Sequence, residues 1–245
     1  MTDDPMRMTV HIASAGNEWL AELAVLSAVR HSSVPLDFVI GDSDGSQVDR
    51  LRRLERTVPV RVEVAPGRKH AEWIDHWIER SHSRFAFFLD SDVFIRRGCW
   101  VTPLLAELEG GAAIVSCEIS EQEVIAEPVR GAIATMLRRP APWVMAVDVE
   151  KVRATHTSFL FRNAYLADEI LAWDVGGRVL EELVEAGEPV TALPDAYRRY
   201  YRHIGGMSWR GAPKARIEAR RWAMLWEARA RSIGERALAR ARPSR

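Results

Sequence analysis

Cysteine is scarce in this chain: Cys99 and Cys117 are the only two in 245 residues. Two thiols at that spacing exclude a disulfide scaffold and a structural zinc site, and both are expected to be buried. Long apolar runs are missing as well. No segment approaches the roughly 18 apolar residues of a membrane span, and residues 1–8 are polar, with Asp3 and Asp4 where a secretory leader would be apolar. A cytoplasmic, soluble chain is expected. Neither sign of charge is in excess, with 34 Lys and Arg against 34 Asp and Glu. Any attraction to polyanions must therefore come from how the charge is distributed. No internal repeat is visible.

What is present is the composition of an ordinary globular protein, 47% hydrophobic and 28% charged. The length suits one sizeable α/β domain, or a core domain with a helical appendage. Apolar strand-like runs at 9–14, 36–40, 58–64 and 84–89 alternate with helix-like periodicity at 17–31, 47–56 and 69–80. A helix over 102–109 and a strand over 112–118 follow. The stretch 119–142 is less regular; 143–149 reads as a strand, 163–173 and 177–186 as helices, and 189–193 as a short strand. Strands alternating with helices imply an α/β, Rossmann-like, mostly parallel sheet.

The charge is uneven at one end. From Gly211 on there are ten Lys and Arg (Lys214, Arg216, Arg220, Arg221, Arg229, Arg231, Arg236, Arg240, Arg242, Arg245) against Glu218, Glu227 and Glu235. Ile217, Trp222, Leu225, Trp226, Ile233 and Leu238 are spaced for one or two amphipathic helices over 215–242. The expected organisation is a catalytic domain over 1–210 and a basic helical tail over 211–245. A solvated helix face explains such a tail; contact with an anionic membrane or nucleic acid is the functional alternative.

Asp90-Ser91-Asp92 follows the apolar run 84–89. In parallel α/β sheets ligands bind beyond the carboxyl ends of the strands, so these carboxylates stand at the rim of a site. Two carboxylates one residue apart present hard oxygens suited to Mg2+ or Mn2+, completed by water and substrate phosphate. A bare tripeptide of this kind is otherwise a solvated turn. Here residues 85–92, FAFFLDSD, resemble the yilfLDsDd segment of family-2-type glycosyltransferases, whose fold is called GT-A. Residues 36–46, LDFVIGDSDGS, are similar to the family strand ending in vvDdgStD, which contacts the donor nucleoside. Trp173-Asp174-Val175-Gly176, with Arg178 and Ala186-Gly187, resembles the eDvdlglr...aG stretch. His203 to Ser208, HIGGMS, resembles the late H.g..S element. The resemblance spans residues 9–209 and leaves the tail outside; the sequence departs from it at Gly41 and at 13–17.

The resemblance implies a GT-A domain with a C-terminal helical extension. It implies a nucleoside-diphosphate sugar donor and a divalent cofactor, Mn2+ or Mg2+. The implied ligands are Asp92 and His203, assisted by Asp90. Donor contacts fall on Asp42, Asp44, Arg68, Lys69, Asp90, Ser91 and Gly205. Asp42 and Asp44 are equally explained by capping the next helix, and Arg68 and Lys69 by surface charge. Asp174 is the implied general base of inverting transfer. Asp168 and Glu169 compete for that role, and a helix N-terminal carboxylate is its structural explanation. Asp75 matches a polar position of the family helix. Trp73 and Trp77, four apart, read first as packing. His156, Thr157 and Ser158 are weaker candidates for lining a pocket.

Two other functions fit parts of the sequence. A sugar nucleotidyltransferase would need a Gly-rich basic loop after the first strand, and residues 14–19 hold one Gly and no basic residue. A non-catalytic sugar- or nucleic-acid-binding module with a degenerate site is the third reading. The acceptor stays open among glycan, lipid-linked molecule, small metabolite and modified nucleic acid.

Overall fold

Val10, Ile12, Phe38 and Ile40 are at most 1% exposed. They lie on neighbouring strands whose near-continuous apolar runs are those of a sheet covered on both faces. The computed structural model describes residues 8–16, 18–45, 48–129, 132–165 and 169–204. The first elements are β1 (Met8–Ser14), α1 (Glu18–Arg30), β2 (Leu36–Asp42), α2 (Val48–Leu54), β3 (Val60–Val64), α3 (His70–Arg80), β4 (Phe85–Leu89) and β5 (Val93–Ile95). Next come α4 (Val101–Glu109), β6 (Ile114–Ser116), β7 (Ile119–Ser120), β8 (Glu123–Val129), β9 (Ala132–Met136), β10 (Arg139–Pro140) and β11 (Val144–Asp148). The last are α5 (Val149–Ala154), β12 (Arg162–Tyr165), β13 (Glu169–Trp173), α6 (Gly177–Glu185), β14 (Val190–Ala192), a 3-10 helix (Asp195–Tyr200) and β15 (Tyr201–His203). The class is α/β, a mixed and mostly parallel sheet flanked by helices. No helix among the described residues is long and apolar enough to cross a membrane.

The chain forms two compact units, one from the residues up to Arg68, Leu89–Val101 and those from Ala196, the other from Lys69–Phe88 and Thr102–Asp195. In the first unit β1, β2 and β3 are parallel, with Ser14 opposite Asp42 and Asp42 opposite Val64. Their carboxyl ends thus share one rim. Leu20 and Leu23 of α1 pack on Phe94 of β5, with Trp19 and Ile204 beside them. Ser27 fixes the helix to that strand: its hydroxyl accepts the Ile95 N–H at 3.1 Å and donates to the Ala24 carbonyl at 2.9 Å. Used in both directions, the buried Ser27 hydroxyl is itself fully satisfied.

In the second unit β6 pairs with β14 in parallel and with β11 antiparallel. Trp73 and Trp77 of α3 are buried and stacked at 5.1 Å, so the pair is a packing feature. Arg153 closes the carboxyl end of α3, donating to the Ile78 carbonyl at 2.6 Å and to those of Glu79 and Ser81 at 2.7 Å. A helix leaves its last carbonyls without intrahelical partners, and one guanidinium meets several of them here.

Two expectations are corrected. Residues 163–173 are not a helix: β12 and β13 pair antiparallel, and β13 runs parallel to β9. Short Ala- and Leu-rich runs satisfy either periodicity, and the partner β9 comes from the stretch that looked irregular. Cys99 is exposed, not buried, whereas Cys117 is buried. Cys99 stands in the loop beyond β5, with φ of 64°. The tail over 211–245 lies outside the described residues.

Candidate metal and donor site

β4 supplies four buried side chains in succession and stops at Asp90. The Val93 N–H donates to the Asp90 carbonyl at 3.1 Å, closing a turn through Ser91 and Asp92 that reverses the chain into β5. β15 then lies antiparallel on β5 with His203 opposite Val93, and the Ile204 N–H donates to the Asp92 carbonyl at 3.1 Å. That register carries His203 to Asp92. Its Nε2 stands 3.3 Å from Asp92 Oδ1, with the carboxylate side chain only 7% exposed.

Asp90, Asp92 and His203 each offer one ligand atom, all within 4.8 Å of one another. Such a group can hold a metal ion. Burial lowers the His203 pKa, but the hydrogen bond and charge of Asp92, with the charge of Asp90, outweigh it, so the pKa stands above its ordinary value. A proton therefore competes for the position a cation would take. Carboxylates with one imidazole form a donor set that Mn2+ accepts more readily than Mg2+, which prefers oxygen throughout. The expected metal ligands are thus brought together.

Asp42 ends β2 fully buried. Its Oδ1 accepts the N–H groups of Asp44 and Gly45, both at 2.9 Å, so one oxygen holds the turn before α2 and does not reach the N–H groups of that helix. Asp42 Oδ2 and the hydroxyl of Ser14 are buried without a hydrogen-bond partner among the described residues. Buried polar atoms are normally satisfied, so an orphaned pair at a strand rim is a feature to explain. Asp44 lies against Gly16, where an added Cβ would come within 3.2 Å of its carboxylate. The loop after β3 is tied to the same rim by Ala65 N–H to Asp42 O at 3.0 Å and Gly67 N–H to Ser43 O at 2.9 Å. Arg68 stands at the end of that loop, its N–H donating to Ala65 O.

Sequence reasoning passed over Ser14. As the last residue of the first apolar strand it occupies the same kind of position as Asp42 and Asp90, so the strand-end rule could have found it.

In the second unit Lys69 is exposed and caps α3, its N–H donating to Glu72 at 2.7 Å. Asp174 pairs with Arg139 at 3.0 Å, and its Oδ1 accepts the Val175 N–H at 2.8 Å. Gly176 follows with φ of 78°. Asp75 accepts the Phe159 N–H at 2.8 Å, and Ser158 also bonds it; burial nonetheless pushes its pKa up. His156 is exposed, with φ of 53°. Gly205 and Asp168 lie outside the described residues, as does the side chain of Glu169.

No protein-family model matches the chain, and no curated protein does. Solved structures do. The glycosyltransferase GlyE of Streptococcus pneumoniae is similar at 12% identity over 96% of this chain and 64% of its own, with a TM-score of 0.54. The fold is GT-A. Mannosyltransferase PcManGT from Pyrobaculum calidifontis, in complex with GDP-Man and Mn2+, matches at 15% identity over 96% and 74%, TM-score 0.48. TarS of S. aureus in complex with UDP-GlcNAc matches at 11% over 69% and 58%, TM-score 0.46. The chain spans less than two thirds of the length of GlyE and of this TarS structure. At such identities the likeness is one of GT-A fold.

Proposed function

We propose that this chain transfers a sugar from a nucleoside-diphosphate sugar to an acceptor hydroxyl with a divalent cation, Mn2+ ahead of Mg2+. The observation that carries this reading is the group formed by Asp90, Asp92 and His203 immediately beyond β4. Asp92 and His203 are the firmest ligands and Asp90 the assisting one. The bound cation would supply Lewis-acid stabilisation of the departing diphosphate.

The remaining residues bind and orient. The free oxygen of Asp42 accepts an N–H of the base or a ribose hydroxyl, and the Ser14 hydroxyl supplies the neighbouring donor. Asp44 and Ser91 contact the donor, Arg68 and Lys69 face its phosphate charge, and Gly205 permits close backbone approach. Asp174 is the base: it takes the proton of the acceptor hydroxyl as oxygen bonds to the anomeric carbon and the bond to the diphosphate oxygen breaks, inverting that centre. Arg139 fixes the carboxylate in one orientation.

A panel of UDP- and GDP-sugars, assayed for hydrolysis with and without Mn2+, tests the reading. Asp92→Ala should abolish turnover while its thermal melt stays cooperative. Full turnover by that variant would overturn the metal assignment; no turnover of any donor by the parent chain would overturn the enzyme.

A further inference from the structure

At the far end of the β5 and β15 ladder from Asp92, five exposed arginines come together from three parts of the chain. β5 runs out into Arg96 and Arg97, and the Arg96 N–H donates to the Tyr200 carbonyl at 2.7 Å. Tyr200 ends the 3-10 helix whose last turn carries Arg198 and Arg199. The same loop then crosses to the end of α1, where the Cys99 N–H donates to the His31 carbonyl at 2.9 Å, one residue beyond Arg30. Arg30, Arg96, Arg97, Arg198 and Arg199 are all exposed. Asp195, at the start of the 3-10 helix, is that helix's one acidic residue. The platform under the arginines is fixed: the Trp100 indole donates to the Ala28 carbonyl at 3.3 Å, and the buried Tyr197 hydroxyl to the Trp100 carbonyl at 2.7 Å.

We infer that this arginine face docks on the phosphate headgroups of an anionic lipid bilayer. Charge complementarity selects an anionic partner, and guanidinium forks suit phosphate in particular. The aromatics decide against a nucleic acid. Tyr197 and Tyr201 are buried, and the Arg199 guanidinium sits over the Tyr200 ring at 5.1 Å, so no described residue of this face offers an open ring for a base to stack on. Arg96 and Arg97 follow a strand, and Arg30, Arg198 and Arg199 stand in the last turns of two helices, so no helix presents a row of these cations along its length to enter a groove. The sequence beyond Gly211 adds ten cations, three Glu and the apolar Trp222 and Trp226, a composition that favours bilayer interfaces. Bilayer attachment ordinarily takes two such signals, and the folded face is the second. It does not depend on the transferase reading.

Co-sedimentation of the full chain with phosphatidylcholine vesicles, with and without about one third phosphatidylglycerol, tests this. Binding should require phosphatidylglycerol and weaken with salt. Replacing Arg96, Arg97, Arg198 and Arg199 together by Gln should weaken it roughly a thousandfold at low salt. The control pair Arg52→Gln and Arg53→Gln, on α2, should leave it unchanged, with melting curves checking that each variant folds. Unaltered binding by the four-arginine variant, equal binding to pure phosphatidylcholine, or tighter binding to DNA that the same four substitutions abolish would each overturn the inference.

Discussion

The carboxylate of Asp75 accepts the backbone N–H of Phe159 at 2.8 Å, tying α3 to the loop that follows α5. Burial raises the Asp75 pKa despite the hydrogen bonds of Phe159 and Ser158 and the charge of Arg162. An acid with a raised folded pKa stabilises the fold below its unfolded pKa and loses that contribution as pH rises through the folded value. Asp75→Asn keeps an acceptor for Phe159 without the buried charge. It should match or exceed the parent in stability at neutral pH. Asp75→Ala should cost about 1–3 kcal/mol, read by urea denaturation.

Phe159 is also the neighbour that restricts residue 176. A Cβ there would meet its ring at 2.9 Å, on a backbone already at φ of 78°. Gly176→Ala should destabilise by roughly 1–3 kcal/mol. In a Phe159→Leu background the contact with the ring is eased, while the 3.1 Å approach to Pro140 Cγ and the backbone strain remain. The cost of Gly176→Ala should then be smaller, which a double-mutant cycle measures.

One Asp42 oxygen holds the turn, and the proposed function gives the other to the donor nucleotide. Asp42→Asn can keep both turn hydrogen bonds through one oxygen while placing an NH2 where an acceptor stood. Calorimetric affinity for UDP or GDP should fall roughly tenfold to a hundredfold with little change in melting temperature. Equal affinity in parent and variant would show that the orphaned oxygen does not meet the nucleotide.

With His203 as a cation ligand, as proposed, metal binding should depend on pH. Its pKa stands above the ordinary 6.5. Below that raised value Mn2+ must displace a proton, so affinity should fall about tenfold per pH unit. The metal-free chain should respond in the opposite sense. Protonated His203 beside Asp92 and Asp90 stabilises it below pH 6.5, and this contribution is lost as pH rises through the folded pKa. His203→Gln should flatten both dependences, measured by Mn2+ titration and by denaturation across the same pH range.

Much of the fold and part of the candidate site are legible in the sequence. The apolar run 85–89 identified a buried strand, and residues just past such a strand belong to a rim, so Asp90 and Asp92 could be assigned from order alone. His203 could be named from its motif, but not its distance from Asp92. That depends on β5, a strand of three residues, pairing with β15 across most of the chain. Short strands carry too little periodicity to be seen, and register between distant segments leaves no local trace. The same limit hid β9, and with it the strand character of 169–173. Lys69 shows one sequence signature for two roles, since a cation just before a helix reads alike whether its side chain meets phosphate or its backbone caps the helix start, as its N–H does here.

The β5 and β15 ladder also sets a schedule for biosynthesis. Asp90 and Asp92 leave the ribosome long before His203, and nothing local can substitute for the strand that delivers the imidazole. A nascent chain arrested before Tyr201 would carry the two carboxylates without their third partner, so the complete group of Asp90, Asp92 and His203 is among the last parts of the described chain to form.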